Sequence, residues 1–396
     1  MKISVVAPDL SGGGMTRAYW IARVLTRAEH EVQIVGRSIR GDVYPGPPDG
    51  ISVVQVELDD SDASMRALFE RVEGDLIYAI KPLKSSFGVA LLAKKHRDRP
   101  VLLDIDDWEH GPLDGFDASL GEIARRVVRH PLESLARLRG RRRLSLDENR
   151  RMHGRRLEQM TDQADAITAD TRFLASRYGG TYLPNGKDTD LFDPSRFDPE
   201  VSRRRLGLSS FRVLMFPGTP QPHKGLEDLL LAMDELQWPD LRLVLVGGRE
   251  NATIDRLIAG WDRWIVRLPR YSADEMPEII SAAHVVVVPQ RDTAQARAQC
   301  PMKLTDGMAM AKPILSTHVG DIPDILDGTG FVVRPSSPTE LAAGIRQVFS
   351  GPSAARILGA RARVRCIRHY GLTPASEVLK HLISRLPRCQ QRHSGP

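Results

Sequence analysis

The stretch FRVLMFPGTPQPHKGLEDLLLAMDEL, residues 211–236, joins three patterns in a fixed order. It begins with a short apolar run typical of a buried strand, continues through a loop rich in Pro and Gly, and ends with leucines at the spacing of an amphipathic helix. A strand, a loop and a helix in this order form the repeating unit of a parallel α/β sheet. The stretch KISVVAPDLSGGGMTRAYWIARVL, residues 2–25, has the same order. The sequence therefore predicts two sheets of this kind.

Strand-like runs alternate with helical patterns on both sides of a polar segment, residues 190–210, which Pro and Gly interrupt. The strand candidates are KISVVAP, EVQIVGR, ISVVQVEL, DLIYAIK, PVLLDID, DAITAD and TYLPNG before this segment, and FRVLMFPG, LRLVLVGG, RWIVRLP, AHVVVVPQ, PILSTHVG and GFVVRP after it. We predict an α/β fold with two Rossmann-like, doubly wound parallel-sheet domains, residues 1–195 and 196–365, followed by a C-terminal helical segment and tail, residues 366–396. Ligands of such sheets bind beyond the carboxyl ends of the strands, so the cleft between the domains is the expected site.

The composition of the 396-residue chain, with 41% hydrophobic and 27% charged residues, is typical of a soluble protein of two domains. No apolar run approaches the roughly 20 residues of a membrane span, so we expect a cytoplasmic protein. The three cysteines, Cys300, Cys366 and Cys389, match no metal-ligand spacing, and we expect them to be reduced thiols.

The net charge of +6 is unevenly distributed, because residues 125–156 contain several arginine clusters and few acids. Three interpretations are open for this segment: a solvated helical surface, contact with an anionic acceptor or with anionic lipid at the inner membrane face, and nucleic-acid binding. The clusters lack the interleaved aromatic side chains of a base-stacking surface, so we expect no nucleic-acid partner. Peripheral contact with a membrane through Arg125–Arg156 is the functional candidate.

The loop at Gly12–Gly14 has the chemistry of a phosphate site. It precedes a helix, and backbone N–H groups there approach an anion without obstruction from a Cβ atom. A dinucleotide fingerprint would need a third glycine where Arg17 stands, which argues against that class, although Arg37 would suit the 2′-phosphate of NADP. A plain tight turn is the other alternative.

The loop Gly218–Gly225 ends with a residue suited to phosphate oxygens, Lys224, and its Thr219 and His223 can donate hydrogen bonds. A solvated lysine at the start of a helix is the alternative. Further along, CPMKLTDGMAMAKP, residues 300–313, places two charged residues in a helix that otherwise looks buried. The first stretch therefore predicts an anion site in the second domain, whereas the charged residues of the second stretch are not explained by its pattern alone.

Four stretches, taken in order, resemble the retaining glycosyltransferases of family four, also called glycosyl transferases group 1. They are SGGGMTRAYWIARVLTRAEHEV, the run from ADAITAD to YLPNGKDTDLFDP, GTPQPHKGLEDLLLA, and PMKLTDGMAMAKPILSTHVGDIPDIL. The resemblance runs over nearly the whole chain. It implies the GT-B architecture, with an acceptor bound by the first domain and a nucleotide-sugar donor bound by the second. It also implies that residues 366–396 form a crossover helix and tail that return to the first domain.

The same resemblance implies which residues bind the donor. The family clamps the diphosphate with an arginine and a lysine, and here Thr219 stands at the arginine's position, so His223 is a candidate to replace part of that charge. A family glutamate that binds the ribose corresponds to Asp306, and an earlier one corresponds to Ala298, with Gln295 and Gln299 nearby. The implied donor-binding residues are Gly13, Gly14, Gly218, Thr219, His223, Lys224, Gly248, Arg270, Met302, Lys303, Leu304 and Asp306. The amides of residues 302–304 would face the diphosphate.

For two of these residues, a simpler interpretation than binding of the donor is also open. Lys303 either adds positive charge to the site or reaches solvent. Asp306 either binds the ribose or is an exposed helix carboxylate. The resemblance alone does not choose between them.

On the acceptor side, Asp106 stands where the family has a histidine close to the transferred sugar, and Asp107 follows it. A carboxylate there could accept hydrogen bonds from hydroxyl groups or take the acceptor's proton, while capping of a helix is the alternative. Lys81 ends a neighbouring strand and either binds acceptor or phosphate or is solvated. Asp106, Asp107 and Lys224 are the predicted catalytic residues. Asp104 and Asp106 form a D-x-D pattern, but it lies in the first domain, and we expect no metal site.

The implied activity is transfer of a sugar, with retained configuration and without a metal, from a UDP- or GDP-sugar to a glycan, lipid-linked or small-molecule acceptor. No cofactor other than this substrate is expected. The altered positions Thr219 and Ala298 keep two alternatives open. One is a nucleotide-sugar-binding partner protein with weak catalysis, and the other is a GT-B sugar-nucleotide epimerase or hydrolase.

Overall fold

The protein is described here by a computed structural model. The residues described are 1–38, 41–56, 62–109, 155–247, 255 and 258–386. They form two separate parallel sheets flanked by helices, which confirms the predicted α/β fold class.

The first sheet has seven strands in the order β3-β2-β1-β4-β5-β6-β7, and all of its pairs are parallel. Its strands are β1 Lys2–Ala7, β2 Glu31–Arg37, β3 Ser52–Val56, β4 Leu76–Ile80, β5 Val101–Ile105, β6 Ala166–Ala169 and β7 Thr181–Tyr182. The helices described in this domain are α1 Gly13–Arg27, α2 Asp62–Glu70, α3 Val89–Arg97 and α4 Arg172–Tyr178. The strand order reverses direction beside β1, the position at which doubly wound sheets open a ligand crevice.

The second sheet has six strands in the order β10-β9-β8-β11-β12-β13, again with parallel pairs. Its strands are β8 Arg212–Pro217, β9 Leu241–Val246, β10 Ile265–Leu268, β11 Val285–Val288, β12 Ile314–Thr317 and β13 Phe331–Val333. The helices described around it are α5 Pro199–Arg205, α6 Leu226–Leu236, α7 Met276–Ser281, α8 Ala294–Arg297, α9 Met302–Ala309, α10 Ile322–Leu326 and α11 Pro338–Ser350. The predicted domain boundary at residue 195 falls in the connection between the two sheets.

The central strands are apolar because helices cover both faces of each sheet. In β11, four consecutive valines are all buried, which no strand with one solvated face would allow. Gly225, at the start of α6, has φ +67, and a Cβ there would lie 1.7 Å from the carbonyl oxygen of Pro289. Only glycine therefore lets this loop approach the neighbouring strand end.

The chain returns to the first domain at its end. Helix α12, Pro352–Tyr370, is followed by Gly371 and then by α13, Leu372–Ser384, which packs against α1 through Leu379 and Ile383 in the first domain's core. The crossing lies at Gly371, so the predicted start of the crossover segment, residue 366, falls inside α12. Within the described residues, no helix combines the length and the apolar character of a membrane span.

Candidate active site

A cavity of 470 Å³ lies between the two sheets. The carboxyl ends of the strands point to it from both domains, as the fold predicts. Among its lining residues are nine predicted ones, namely Asp106, Asp107, Gly218, Thr219, Lys224, Arg270, Met302, Lys303 and Asp306. The structure therefore brings most of the predicted site to one place.

Of the other predicted residues, Gly14, His223 and Leu304 are described and do not line the cavity. Gly13 and Gly14 form the start of α1 behind Gly12, and a Cβ at Gly14 would lie 2.9 Å from Pro8. The prediction for Gly248 lies outside the described residues, as does that for residues 125–154 of the arginine-rich segment.

In the second domain, two lysines enter the cavity. Lys224 ends a short turn after β8, and its Nζ donates to the carbonyl oxygen of Thr219 at 3.1 Å. Lys303 is buried, and its Nζ lies 3.2 Å from the ring centroid of Phe216. Among the residues that the structure describes, no carboxylate oxygen lies within 4.0 Å of the Nζ atom of Lys224 or of Lys303, so neither lysine forms an ion pair with them. Burial lowers the pKa of both lysines.

These contacts decide the open question about Lys303. Its side chain does not reach solvent but remains inside the protein, stacked on an aromatic ring and facing the cavity. Two neighbouring ammonium groups without a bound counter-charge make this part of the cavity suited to an anion.

The first turn of α9 borders the same place. Pro301 precedes it and provides no side-chain cap, so the N–H groups of Met302 and Lys303 are available to a ligand. Leu304 does not fit its predicted role, because its N–H donates to the carbonyl oxygen of Pro301 at 2.9 Å and its side chain is buried in the core. The available amides are therefore those of the first two helical residues.

His223 does not provide the positive charge suggested for it. Its side chain is buried, and burial lowers its pKa to about 4. The imidazole is therefore neutral at pH 7, and the arginine charge missing at Thr219 is not replaced from this position.

In the first domain, Lys81 lies at the centre of an acidic cluster. Its Nζ is 2.6 Å from Asp107 Oδ2 and 3.5 Å from Asp106 Oδ1, and it also contacts Glu109. Lys81 is buried and does not line the cavity, so it is neither solvated nor placed to touch a ligand. Burial alone would lower the pKa of Lys81, but the negative charges of the three acids outweigh burial, and the pKa is well above its ordinary value. Lys81 therefore holds the two aspartates in position as a permanent cation.

The two aspartates titrate differently. Burial raises the pKa of Asp106 to about 7 against the opposing charge of Lys81. Burial acts in the same direction on Asp107, but the Lys81 charge and hydrogen bonds from Lys81 and Gln299 lower its pKa overall. Gln299 Nε2 donates to Asp107 Oδ1 at 3.0 Å and so connects the two domains. At pH 7, Asp107 is ionised, while Asp106 is able to exchange a proton.

Arg17, in α1, has a structural role that sequence reasoning missed. Its side chain is 1% exposed, and Nε and Nη2 bind the two oxygens of Asp104 at 2.8 and 2.9 Å. Further hydrogen bonds reach Asn185 Oδ1 and the carbonyl oxygen of Leu183. The first acid of the D-x-D pattern is thus committed to a buried ion pair.

Sequence reasoning also missed Lys187 and Tyr44. Lys187 lines the cavity, and its Nζ lies 2.5 Å from Asp306 Oδ1. The ring of Tyr44, in the first domain, contacts the guanidinium of Arg270, whose Cζ lies 4.7 Å from the ring centroid. Lys187 stands in YLPNGKDTDLFDP, which carries part of the family resemblance but was given no ligand role, and no local pattern marks Tyr44. Their positions depend on how the domains meet.

The structure also shows what surrounds Ala298, the position of the family's earlier glutamate. Ala298 is buried, whereas the adjacent Gln299 lines the cavity and accepts from Gln290 Nε2 at 3.4 Å. The polar side chain adjacent in sequence to Ala298 that lines the cavity is therefore that of Gln299.

Comparison with known proteins supports a specific family. Residues 211–350 match the family described as Glycosyl transferases group 1. The chain is 27% identical, over 52% of its length, to the GDP-mannose-dependent alpha-(1-6)-phosphatidylinositol monomannoside mannosyltransferase of Mycolicibacterium smegmatis. It is 24% identical, over 72% of its length, to the MMP alpha-(1->4)-mannosyltransferase of Mycolicibacterium hassiacum. The chain spans 59% and 62% of the length of these relatives.

Two solved structures share the arrangement of both domains. HepE of Anabaena, crystallised with UDP and glucose, has a TM-score of 0.67 at 17% identity, with 97% of this chain and 99% of HepE covered. WaaG, described as a glycosyltransferase involved in lipopolysaccharide biosynthesis, has a TM-score of 0.62 at 16% identity, with 97% and 100% covered. At such identities the likeness concerns the fold, which is GT-B as predicted.

Proposed function

Because residues 211–350 are a domain of the family Glycosyl transferases group 1 and the chain has the GT-B fold, we propose that the protein transfers a sugar from a nucleoside-diphosphate sugar to an acceptor. One observation carries this proposal. Lys224 and Lys303 line the cavity beside the first turn of α9 without a carboxylate partner in the described part of the chain. A diphosphate supplies the negative charge that these ammonium groups lack.

The proposed reaction breaks the bond between the sugar's anomeric carbon and the diphosphate and forms a bond from that carbon to an acceptor hydroxyl oxygen. As the resemblance implies, we propose retention of configuration, no metal requirement, and transfer of the acceptor's proton to the leaving diphosphate. Lys224, Lys303 and the amides of Met302 and Lys303 would stabilise the charge that develops on the leaving group. Preorganised donors in a partly buried site suit this task.

The acceptor is proposed to bind beside Asp106 and Asp107 in the first domain. Both line the cavity, and Gln299 connects Asp107 to the donor side. An ionised Asp107 can accept a hydrogen bond from an acceptor hydroxyl, and the raised pKa of Asp106 suits proton exchange near neutral pH. The acceptor is proposed to be a glycan, a lipid-linked sugar or a small molecule.

The similar proteins suggest which donors to test first. The mycobacterial relative is named as GDP-mannose-dependent, which makes GDP-mannose the first candidate. HepE was crystallised with UDP and glucose, which makes UDP-glucose the second.

The proposal is tested by calorimetric binding of GDP, UDP and their sugar conjugates, followed by mass spectrometry of the products formed with mixed acceptors. We expect one nucleoside diphosphate to bind below about 1 mM, the upper range of common Michaelis constants. Lys224→Met should weaken that binding by about 10- to 100-fold, the effect of losing one or two hydrogen bonds to a charged group.

The matched control is Lys94→Met, which removes a surface lysine paired with Asp165 at 2.7 Å, far from the cavity, and should leave binding unchanged. Absence of sugar-nucleotide binding by the wild-type protein would contradict the proposal. Binding without transfer to any acceptor would favour a partner protein, and release of free sugar or of an epimer would favour a hydrolase or an epimerase.

A further inference from the structure

Lys187 lies in a segment of backbone that is fixed from two sides. Its N–H donates to the carbonyl oxygen of Tyr370 at 2.8 Å, at the end of α12. A Cβ on the preceding Gly186 would lie 2.1 Å from the same oxygen and 2.5 Å from the ring of Trp20 in α1. The connection between the domains therefore holds the Lys187 backbone in one position at the cavity wall.

The side chain of Lys187 reaches across to the second domain. Its Nζ lies 4.7 Å from the ring centroid of Phe192 and 2.5 Å from Oδ1 of Asp306 in α9. The two side chains are only 12% and 10% exposed, and both line the cavity. A tight, shielded ion pair thus borders the space in which a nucleotide would bind.

This pair differs from the other cations of the second domain's half of the cavity. Lys224 and Lys303 have no carboxylate partner among the described residues, whereas the charge of Lys187 is already balanced by Asp306. Ammonium groups without partners attract phosphates. A balanced pair offers N–H donors and a carboxylate acceptor side by side, which matches a neutral diol that both donates and accepts hydrogen bonds.

The family resemblance implies that Asp306 binds the ribose hydroxyls, and we propose that Lys187 is a further residue of this site, which binds the ribose together with Asp306. Lys187 orients Asp306 through Oδ1, so that Oδ2 accepts from a hydroxyl, and a remaining ammonium N–H donates to a hydroxyl oxygen. Lys187 is thereby a residue that determines specificity for ribonucleotides. This inference rests on the proposed function, because it requires a nucleotide in the cavity.

The test compares a nucleoside diphosphate with its 2′,3′-dideoxy analogue, using GDP or UDP, whichever binds the wild-type protein more tightly. Calorimetry should show that the wild-type protein prefers the ribonucleotide by about tenfold or more, on the scale of hydrogen bonds to charged groups. Lys187→Met should weaken ribonucleotide binding about tenfold and change dideoxynucleotide binding less than about twofold, so that the preference disappears. Lys94→Met should retain the wild-type preference.

A second variant is needed as a control, because Lys187→Met leaves the shielded Asp306 carboxylate without its cation and could disturb the fold locally. The double variant Lys187→Met/Asp306→Asn removes both charges, and its ribonucleotide affinity should be no lower than that of Lys187→Met, because coupled residues are not additive. Equal weakening of both nucleotides by Lys187→Met would assign the lysine to the diphosphate and overturn the proposal, as would unchanged affinity for both. If the wild-type protein binds neither nucleotide, the proposed function itself fails.

Discussion

In the first domain, beside the cavity, Arg17 Nε lies 2.8 Å from Asp104 Oδ2 and Lys81 Nζ lies 2.6 Å from Asp107 Oδ2. In the second domain's half, Lys224 contacts a carbonyl oxygen and Lys303 an aromatic ring, and neither has a carboxylate partner among the described residues. Both domains are built from repeating units in which a strand, a loop and a helix follow in the same order. The difference lies in whether the protein balances its own buried cations.

This contrast separates structural cations from those that can bind a ligand. A buried cation paired with a buried acid stabilises the native arrangement of both, and removing one partner leaves an uncompensated charge. A buried cation without an acid is costly to the folded protein but gains from an anionic ligand. Substitution of one cation of each kind therefore has a different expected effect.

The largest effect is expected for Arg17→Met. This change leaves the fully buried Asp104 without its cation, and should lower the free energy of unfolding by about 3–5 kcal/mol. Urea denaturation followed by circular dichroism measures it. The matched control is Arg27→Met, in the same helix, whose pair with Asp190 is largely exposed and should be worth at most about 0.5 kcal/mol. Similar losses for the two variants would contradict a structural role specific to Arg17.

A smaller effect is expected for Asp106→Asn. The pKa of Asp106 is raised to about 7 in the folded protein, so the folded state holds this proton more tightly than the unfolded state does. The contribution of Asp106 to stability is therefore present at low pH and is lost as the pH rises towards 7.

The unfolding free energies of Asp106→Asn and of the wild-type protein should be compared from pH 4 to pH 8. Over this range the difference should shift in favour of the variant by up to about 4 kcal/mol, because the Asp106 pKa is about 7 in the folded protein and 3.8 as the ordinary value. The gain should level off above pH 7, where the wild-type carboxyl is ionised. A difference between the two proteins that stays constant across this range would show that Asp106 has an ordinary pKa in the folded state.

The smallest effect concerns the pH dependence of nucleotide binding. Burial lowers the pKa of Lys224 and of Lys303, so both lose their protons at a lower pH than a solvated lysine does. Affinity for the nucleoside diphosphate should therefore fall by about three- to tenfold between pH 7 and pH 9.5, because the anion binds the charged forms.

Lys303→Met should flatten this pH dependence, whereas Lys94→Met should leave it as in the wild-type protein. Calorimetric titrations at constant ionic strength provide the measurement. An affinity independent of pH over this range would mean that the two ammonium groups do not face the phosphates.

Sequence reasoning was most successful where a short stretch determines its own structure. The strand, loop and helix at residues 211–236 were predicted from local patterns and are present. It was least successful for roles that depend on burial. His223 was proposed to replace part of a positive charge, but burial lowers its pKa to about 4 and leaves it neutral at pH 7.

The sequence by itself determined the two parallel sheets, the loops at their strand ends and the chemical types available there, because hydrophobic period and glycine position are local properties. Only the tertiary structure decided which cations are balanced. Arg17 meets Asp104 across 87 residues, and Lys187 meets Asp306 in the other domain. Ion pairing and desolvation depend on distances between segments that are remote along the chain, so no local pattern contains them.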